Sequence, residues 1–393
     1  MRSIPLVALA SVVLVTGCSS VLSGPSSEAG PQIEIASEFP LFYGTPVFPG
    51  LERGVDMAFA QHPSVEGYRL VHVTLDDSLG GRVSIDRALQ NARRAVHESA
   101  ILGVIGPQMS SQAQLLIPMA SSVNLTVLSP SNTLDCLTRA AAPCLASPRA
   151  QDAPTNYFRV AARDMLAARA AADFAFHSLG ITQFAVLTNP IDGPFAQPMA
   201  QAFATEVVQL GGKVVYRQDF TSLAAAPDFA PMLRDAHAAG AQAIYMSAAD
   251  PPSCALRRDM NGIFPVDAYL IVGDRLGACI DDASLVGRTD DHFVMTLATG
   301  RSRTIPPALK VLDGYTAAAY DCANILIDAV RRAIRANGGK IPTREQVREA
   351  VAETTSFKGI TGTYSFDANG DVVNPGFSFY TLQKGNWAFW RSP

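Results

Sequence analysis

The sequence predicts an α/β protein with two lobes, each built on a doubly wound parallel sheet. Short strand-like runs of apolar residues alternate with longer helical patterns, which is typical of βαβ units. The alternation begins again after a proline-containing polar segment at Ala150–Asn156, and this restart indicates a second unit. With 393 residues, 48% of them hydrophobic, the chain is long enough for two domains that each bury a core.

The first unit follows from apolar runs in the first third of the chain. These runs predict four strands with three amphipathic helices between them. The strands are Ile33–Ala36, Leu70–Leu75, Leu102–Ile105 and Thr126–Leu128, and the helices are Gly50–Gln61, Ile85–Ser99 and Gln112–Ser122.

The second unit repeats the pattern with five strands and three helices. Because helices again separate the strands, we expect these strands to form a second parallel sheet. The strands are Tyr157–Val160, Phe184–Leu187, Val214–Tyr216, Ala243–Met246 and Tyr269–Val272, and the helices are Met165–Leu179, Phe195–Leu210 and Phe229–Ala239.

The C-terminal part of the chain has a different order of elements. Pro306–Asn337 predicts one long helix that stops at Gly338-Gly339. Thr343–Glu353 predicts another helix, with Thr343 and Gln346 in the spacing of a capping box. These elements can complete both units if the chain passes back from one unit to the other. We therefore expect several connections between the lobes, and such connections form a hinge. Three strand-like segments end the chain, at Gly362–Phe366, Phe377–Gln383 and Trp387–Trp390.

The first residues predict an export signal. Arg2 precedes the apolar run Ile4–Val15, which is too short to span a bilayer as a helix. The run ends in Thr16-Gly17-Cys18, which resembles the lipobox of bacterial lipoproteins. That resemblance implies that the signal, residues 1–17, is removed and that Cys18 is lipidated; an uncleaved signal or an ordinary secretory signal is the alternative. Residues 18–31 are then a tether with a reach of roughly 20 Å.

The remaining cysteines suit an exported protein, because oxidising compartments permit disulfides. Cys136 and Cys144 lie close together in a polar, proline-containing loop and can form a local disulfide. Cys254 and Cys279 flank one strand–helix unit and can form a second. Cys322 falls in an apolar helical pattern, which predicts a buried free thiol.

Composition and motifs exclude several classes of function. The net charge is −4 without a basic stripe or tail, so we expect no nucleic-acid binding. The chain has no CxxC pair and its six histidines are scattered, so we expect no metal site and no cofactor. Asp367–Asp371 predicts an Asn-Gly hairpin, because a calcium loop needs a late glutamate that is missing here. Without GxSxG, HExxH or P-loop motifs, an enzyme is not expected.

Polar side chains follow two successive predicted strands, at Gly106–Ser111 and at Ser129–Thr133. In open parallel sheets, ligands bind beyond the carboxyl ends of the strands. The helix that follows offers unpaired N–H groups and the positive end of its dipole to an anion. Ser110 or Ser111 can add a hydroxyl donor. The alternative is that one serine only caps the helix and that both loops are merely polar.

These two segments, VIGPQMSSQAQ and TVLSPSNT, resemble the leucine/isoleucine/valine-binding proteins of the type I periplasmic binding protein superfamily. The resemblance implies two α/β lobes joined by three hinge strands, with a small ligand in the cleft between them. The implied lobes are residues 32–155 with 300–355 and residues 156–299 with 356–393. Further segments agree in family order over nearly the whole mature chain: TLDDS, YFRVAARD, DFAPMLRDAHAAGAQAIYMS, GYTAAAYD and GITGTYSFDANGDV.

The resemblance also implies roles for individual residues. Ser110, Ser131 and Thr133 fall on positions where hydroxyls and backbone N–H groups hold the α-carboxylate of an amino acid. Asp274 falls on the position of an acid that holds the α-ammonium group, and such a pairing of charges suits a zwitterion. The alternative for Asp274 is an ordinary surface turn.

The sequence departs from this family at three cleft tyrosines. Val47, Gly193 and Ala249 stand at the matching positions, and Phe48 is a candidate replacement for one of them. Tyr315 is a further candidate for lining the pocket, with core packing as its alternative. A branched-chain amino acid is therefore the default ligand, and an amide, a short organic acid or a peptide-like ligand is the alternative.

We therefore predict a lipid-anchored solute-binding protein that delivers a small ligand, a branched-chain or related amino acid, to an ABC permease. We expect the chain to be exported, attached to the membrane by its lipid, and monomeric. The alternative is an envelope lipoprotein that uses the same fold to sense a ligand or to regulate a partner such as a cell-wall synthase. The departures in the second lobe favour this alternative.

Overall fold

Two β-sheets form the framework of the computed structural model, and helices cover both, which confirms the predicted two-lobe α/β fold. The residues that the structure describes are 31–42, 49–140, 154–190, 193, 195–221, 228–247, 252–273, 289–301, 307 and 314–392.

The first sheet contains six strands, and a two-stranded ribbon lies beside it. In chain order these strands are β1 (Gln32–Phe39), β2 (Ser64–Val65), β3 (Tyr68–Asp76), β4 (Ser78–Leu79), β5 (Arg82–Val83), β6 (Ile101–Ile105), β7 (Thr126–Ser129) and β8 (Tyr157–Arg159). The ribbon is β4–β5, and the sheet order is β2-β3-β1-β6-β7-β8, parallel except between β2 and β3. The predicted boundary at residue 156 assigns β8 to the second lobe, but β8 pairs with β7 in the first sheet.

The second sheet contains seven strands. The remaining strands are β9 (Gln183–Thr188), β10 (Lys213–Asp219), β11 (Ala243–Met246), β12 (Tyr269–Val272), β13 (Asp290–Leu297), β14 (Phe357–Lys358), β15 (Thr363–Tyr364), β16 (Ser378–Gln383) and β17 (Asn386–Arg391). The sheet order is β10-β9-β11-β12-β13-β16-β17, and β14–β15 form a separate ribbon. Pairing is parallel as far as β13 and antiparallel for the last two strands, as expected for elements added after the βαβ units.

The helices pack in pairs on the two sheets. They are α1 (Pro49–Gln61), α2 (Ile85–His97), α3 (Ser110–Ser121), α4 (Asp164–Asp173), α5 (Ala196–Gln209), α6 (Ala230–Ala238), α7 (Pro252–Asp259), α8 (Tyr315–Ala336) and α9 (Arg344–Ala352). Helix α1 lies on α8, α2 on α3, α4 on α5 and α8 on α9. Within the described ranges, no helix combines the length and the apolar character that crossing a membrane would require.

Most predicted elements are present, with ends shifted by a few residues. The predicted capping box of α9 is confirmed: Gln346 donates its N–H to the Thr343 hydroxyl, and its side-chain oxygen accepts the Thr343 N–H. Helix α8 covers the later part of the predicted Pro306–Asn337, whereas residues 308–313 lie outside the described residues. Strand β13 and helix α7 were not predicted, because acidic residues open the strand and the eight-residue helix carries few apolar side chains.

Three chain segments pass between the lobes side by side, after β8, after β13 and before β16. The N–H of Ala162 donates to the carbonyl oxygen of Ala298 at 2.7 Å, which joins the first two segments. Gly376 lies so close to Gly300 that a Cβ at residue 376 would be 2.8 Å from the Gly300 Cα. Glycine is therefore needed where the second and third segments touch. This arrangement agrees with the hinge of three strands that the family resemblance implies.

Candidate functional site

The loops that follow β6 and β7 lie against each other at the carboxyl ends of two adjacent parallel strands. Asn132 joins them, because its Nδ2 donates to the carbonyl oxygens of Pro107 and Gln108 at 2.9 and 2.6 Å. The Ser131 hydroxyl also donates to the Gln108 carbonyl, at 3.0 Å. The two polar loops identified in the sequence therefore form one continuous surface.

Ser110 and Ser111 are the first two residues of α3, and neither occupies the position before the helix. Gln112 supports the helix start instead, since its Oε1 accepts the N–H of Met109 at 3.3 Å. The Ser110 hydroxyl oxygen accepts the N–H of Leu134 at 3.4 Å, which leaves the hydroxyl proton for another acceptor. The first N–H groups of a helix have no intrahelical partner, so this end of α3 can hold an anion.

The loop after β7 also connects this surface to the first crossing segment. The Thr133 carbonyl accepts the N–H of Asp164 at 2.8 Å. The Asp135 carboxylate accepts the N–H of Met165 at 3.1 Å and pairs with Arg163 at 2.7 Å. A ligand bound by this loop would therefore lie next to the start of α4 and the crossing.

Two buried acids lie behind the start of α3, near the ends of β1 and β3. Asp77 accepts a hydrogen bond from Nε2 of Gln112 at 2.7 Å. Burial raises the pKa of Asp77 to about 7, although the Gln112 bond acts to lower it. Burial, reinforced by the nearby Asp77, also raises the pKa of Glu38 well above its usual range. Gln112 thus links Asp77 to the start of α3, where the candidate anion site lies.

The hairpin at Asp367–Asp371 places a carboxylate among arginines. Asp371 pairs with Arg159 at 2.8 Å, with Arg139 at 2.9 Å and with Arg163 at 3.3 Å. Burial opposes ionisation of Asp371, but Arg159 and the other donors hold its pKa below the ordinary value. Sequence reasoning missed this cluster because Arg159 and Asp371 are 212 residues apart.

On the second lobe, Phe195 lies directly before α5 and is half-buried. Its ring packs against the apolar cluster around α4 and α5, and also against the first-lobe cluster around α2 and α3. A Cβ at Gly193 would lie 2.7 Å from this ring. Sequence reasoning singled out Gly193, as a departure from the family, and did not single out Phe195.

Thr188 and Ser247, at the carboxyl ends of β9 and β11, have buried hydroxyls without a hydrogen-bond partner among the described residues.

Other predicted site residues lie elsewhere or outside the described residues. Tyr315, at the start of α8, is 7% exposed and belongs to the main apolar core. This position agrees with the alternative that Tyr315 packs in the core. Phe48, Asp274 and the predicted lipidation site Cys18 lie outside the described residues.

The cysteines are buried where the structure describes them. Neither Cys136 nor Cys254 is a free thiol. Their predicted partners, Cys144 and Cys279, lie outside the described residues, so both pairings stay predictions. Cys322 is free and buried, as predicted, and burial raises the pKa of its thiol well above the usual range.

One group of side chains has the spacing of metal ligands: Glu52, Asp56 and His72 each place a ligand atom within 4.8 Å of the others. His72 Nδ1 lies 3.0 Å from Asp56, and His72 Nε2 lies 2.7 Å from the Ser37 hydroxyl. Ser37 and Thr74 donate to the Glu52 carboxylate at 2.7 and 2.6 Å. These mutual bonds satisfy the group without an ion, and the absence of a metal stays a prediction.

Two cavities lie away from the predicted serines. One, of about 550 Å³, is at the opposite edge of the first sheet and includes Gln32 and Arg344. The other, of about 520 Å³, lies at the crossings and includes Gly300 and Arg301.

Comparison with known proteins places this geometry in a family. The family model described as "Periplasmic binding protein" matches residues 43–257, more than half of the chain. The Leu/Ile/Val-binding protein homolog 1 of Brucella abortus (strain 2308) is 23% identical over 242 residues, 58% of this chain and 61% of that protein. The chain therefore spans about three fifths of the length of the curated relatives that it matches.

Solved structures show the same fold. The leucine binding protein LivK from Thermotoga maritima MSB8 has a TM-score of 0.69 and 23% identity, covering 92% of this chain and 98% of that one. LivJ from Streptococcus pneumoniae str. Canada MDR_19A, in complex with isoleucine, has a TM-score of 0.69 and 19% identity, covering 92% and 100%. Both neighbours are solute-binding proteins, and the likeness shows that this chain has their fold. Because the family model spans more than half of the sequence, the chain belongs to the periplasmic binding protein family.

Proposed function

We propose that this chain captures a branched-chain or related amino acid between its two lobes and delivers it to an ABC permease. The observation that carries the proposal is the surface formed by the loops after β6 and β7 at the start of α3. There, Ser110 keeps a hydroxyl proton for an acceptor, and the helix presents unpaired N–H groups. The ligand class comes from the relatives, whose names state leucine, isoleucine and valine.

In this proposal the ligand's α-carboxylate lies at the start of α3, between Ser110, Ser111 and Thr133. Ser131 supports the site through its bond to the Gln108 carbonyl. Asp274, from the second lobe, faces the α-ammonium group. Closure of the two lobes would exclude water and so strengthen both contacts.

We also propose how the protein is placed and stabilised outside the cytoplasm. The signal, residues 1–17, is removed, and a lipid on Cys18 anchors the exported monomer through residues 18–31. Disulfides join Cys136 to Cys144 and Cys254 to Cys279, which is supported by the absence of a free thiol at residues 136 and 254. Mass spectrometry of the exported protein tests the removal of the signal, the lipid on Cys18 and the two disulfides. Alkylation of the four paired cysteines without prior reduction would contradict the disulfides.

A second function has one observation in its favour. The family resemblance assigns Gly193 to the position of a cleft tyrosine, and a glycine there would remove one contact of the second lobe to the ligand. An envelope lipoprotein that senses a ligand or regulates a partner, such as a cell-wall synthase, would not need that contact.

Calorimetry on the mature chain, refolded to remove any bound ligand, separates the two functions. The panel is leucine, isoleucine, valine, their amides, phenylalanine and short carboxylates. We expect a Kd in the micromolar range or lower for one amino acid, and at least about tenfold weaker binding, 1.4 kcal/mol, in Ser110→Ala and Thr133→Ala. Ser122→Ala, an exposed serine at the other end of α3, should bind normally. No binding across the panel would overturn the amino-acid function and favour the regulatory one.

A further inference from the structure

We propose that the cavity at the crossing segments is a second binding site, in which Arg301 holds the carboxylate of a small organic acid. The cavity, of about 520 Å³, has the volume of a site for a small molecule. The described residues that line it include neither Ser110 nor Thr133, so it is separate from the candidate anion site. The inference does not depend on the proposed amino-acid function.

The walls of this cavity come from both lobes. Thr361 lies in a loop that α8 of the first lobe holds in place, because the two carboxylate oxygens of Asp321 accept the N–H groups of Ile360 and Thr361 at 2.8 Å. Ser392 follows β17, at the edge of the second sheet. Gly300, in a crossing segment, packs closely on the carbonyl group of Thr361. A bound molecule would therefore contact parts of both lobes.

Arg301 is the one charged residue among the described residues that line the cavity, and it is half-buried. Its Nη1 donates to the Tyr380 hydroxyl at 2.7 Å. The guanidinium carbon also lies 5.5 and 5.3 Å from the ring centroids of Tyr380 and Phe389, and these contacts hold the group in place. Arg257 of the same lobe pairs with Asp290 at 2.6 Å, whereas within the described ranges no carboxylate pairs with Arg301. Its remaining N–H donors can therefore bind an anion.

The surroundings of Arg301 favour a carboxylate with an apolar body. A guanidinium group presents parallel N–H donors that match the two oxygens of a carboxylate. Lys358 adds positive charge beside the cavity, because its Nζ donates to the hydroxyl of the lining residue Thr363 at 3.2 Å. Pro375 and Phe377 line the cavity as well and offer apolar surface to the rest of the molecule.

The test titrates the mature chain with butyrate and with butyramide, which has nearly the same shape without the charge, and measures binding by saturation-transfer NMR. We expect a Kd in the millimolar range or lower for butyrate, and at least about tenfold weaker binding of butyramide. Arg301→Gln should also weaken butyrate binding at least about tenfold. Arg301→Lys should keep only part of the affinity, because an ammonium group lacks the two parallel donors.

Arg391→Gln is the matched control. Arg391 is another cation that stacks on an aromatic ring of the second sheet, 4.1 Å from the centroid of Trp390. It is not among the described residues that line the cavity, so this variant should bind butyrate normally.

Thermal melting followed by circular dichroism shows which variants are folded. Absence of butyrate binding to the unmodified protein, or unchanged binding in folded Arg301→Gln, would overturn the site. Loss of butyrate binding in Ser110→Ala but not in Arg301→Gln would also overturn it, because butyrate would then lie in the interlobe cleft. Inorganic phosphate that binds as tightly as butyrate would overturn the assignment to an organic acid. These titrations contain no leucine, so their outcome is independent of whether the proposed function holds.

Discussion

Gln112 shows how one side chain serves both the helix and the acids behind it. Its oxygen accepts the N–H of Met109, and its nitrogen donates to Asp77. That second bond lowers the pKa of Asp77, but burial outweighs it and the pKa rises to about 7. The folded protein therefore holds a proton on Asp77 that the unfolded chain releases at lower pH.

Asp77→Asn is expected to stabilise the protein at neutral and alkaline pH. The pKa of Asp77 is about 7 in the folded protein against 3.8 normally, so the protein loses stability as pH rises from about 4 to about 7 and stays at the lower level above that. Asparagine cannot ionise and can still accept the Gln112 bond. Thermal melting should give a higher Tm for the variant near pH 8 and no difference below about pH 4. Asp267→Asn, at an exposed position, is the control, and equal Tm values at pH 8 would contradict the prediction.

Asp371→Ala is expected to destabilise the protein strongly. The Arg159 side chain is 0% exposed, so without Asp371 its charge would be buried without a carboxylate. Loss of one partner from a buried pair typically costs about 3–5 kcal/mol. Urea unfolding measures this cost, with Glu98→Ala as the control, because the exposed pair of Glu98 with Arg94 should contribute less than about 1 kcal/mol. Equal costs for the two variants would refute the structural role of the cluster.

Among the elements, α1 and α8 make an unusually close helix contact. A Cβ at Gly54 would lie 2.2 Å from the carbonyl oxygen of Thr316, so the two helices touch backbone to backbone. Because α1 begins at Pro49 and α8 at Tyr315, this contact joins two parts of the first lobe that are far apart in sequence.

Gly54→Ala is expected to lower the free energy of unfolding by about 1–3 kcal/mol, the usual cost of overpacking. The sign of this change in the free energy of unfolding is informative, because helix propensity alone would favour alanine by about 1 kcal/mol. Urea unfolding measures the free energy of unfolding. Arg53→Ala, at an exposed position on the same helix, should change this free energy little. A stabilised Gly54→Ala would show that the helices are farther apart than described.

In the whole molecule, the three crossing segments and the loop after β7 meet at one place. Thr133 and Asp135 bind the start of α4, and Ala162 bonds to Ala298 beside them. A ligand at Ser110 would therefore lie next to the segments that connect the lobes.

Leucine is expected to make the whole molecule more compact, because a cleft ligand that contacts both lobes favours the closed arrangement. Small-angle X-ray scattering of the mature chain should show a smaller radius of gyration when leucine is added. Ser110→Ala at the same leucine concentration should show less change, because it binds less. An unchanged radius at saturating leucine would contradict lobe closure.

Local pattern was sufficient for most of the fold and for part of the site. The buried strand β6, the polar start of α3 and the capping box of α9 could all be predicted, because each depends on residues within a few positions of one another. The parallel direction of pairing was also predictable, since alternating strands and helices favour it, whereas the order of the strands in each sheet depends on tertiary packing. Strand β13 escaped prediction because Asp290 and Asp291 mask its apolar run.

By itself, the sequence determined the fold class, the family and the serines at the start of α3. Only the tertiary structure decided that β8 completes the first sheet, that Asp371 lies among three arginines and that Phe195 reaches both lobes. The physical reason is distance along the chain. Helix and strand periodicity, capping and turns act between near neighbours, whereas these contacts join segments that meet only after the core has packed.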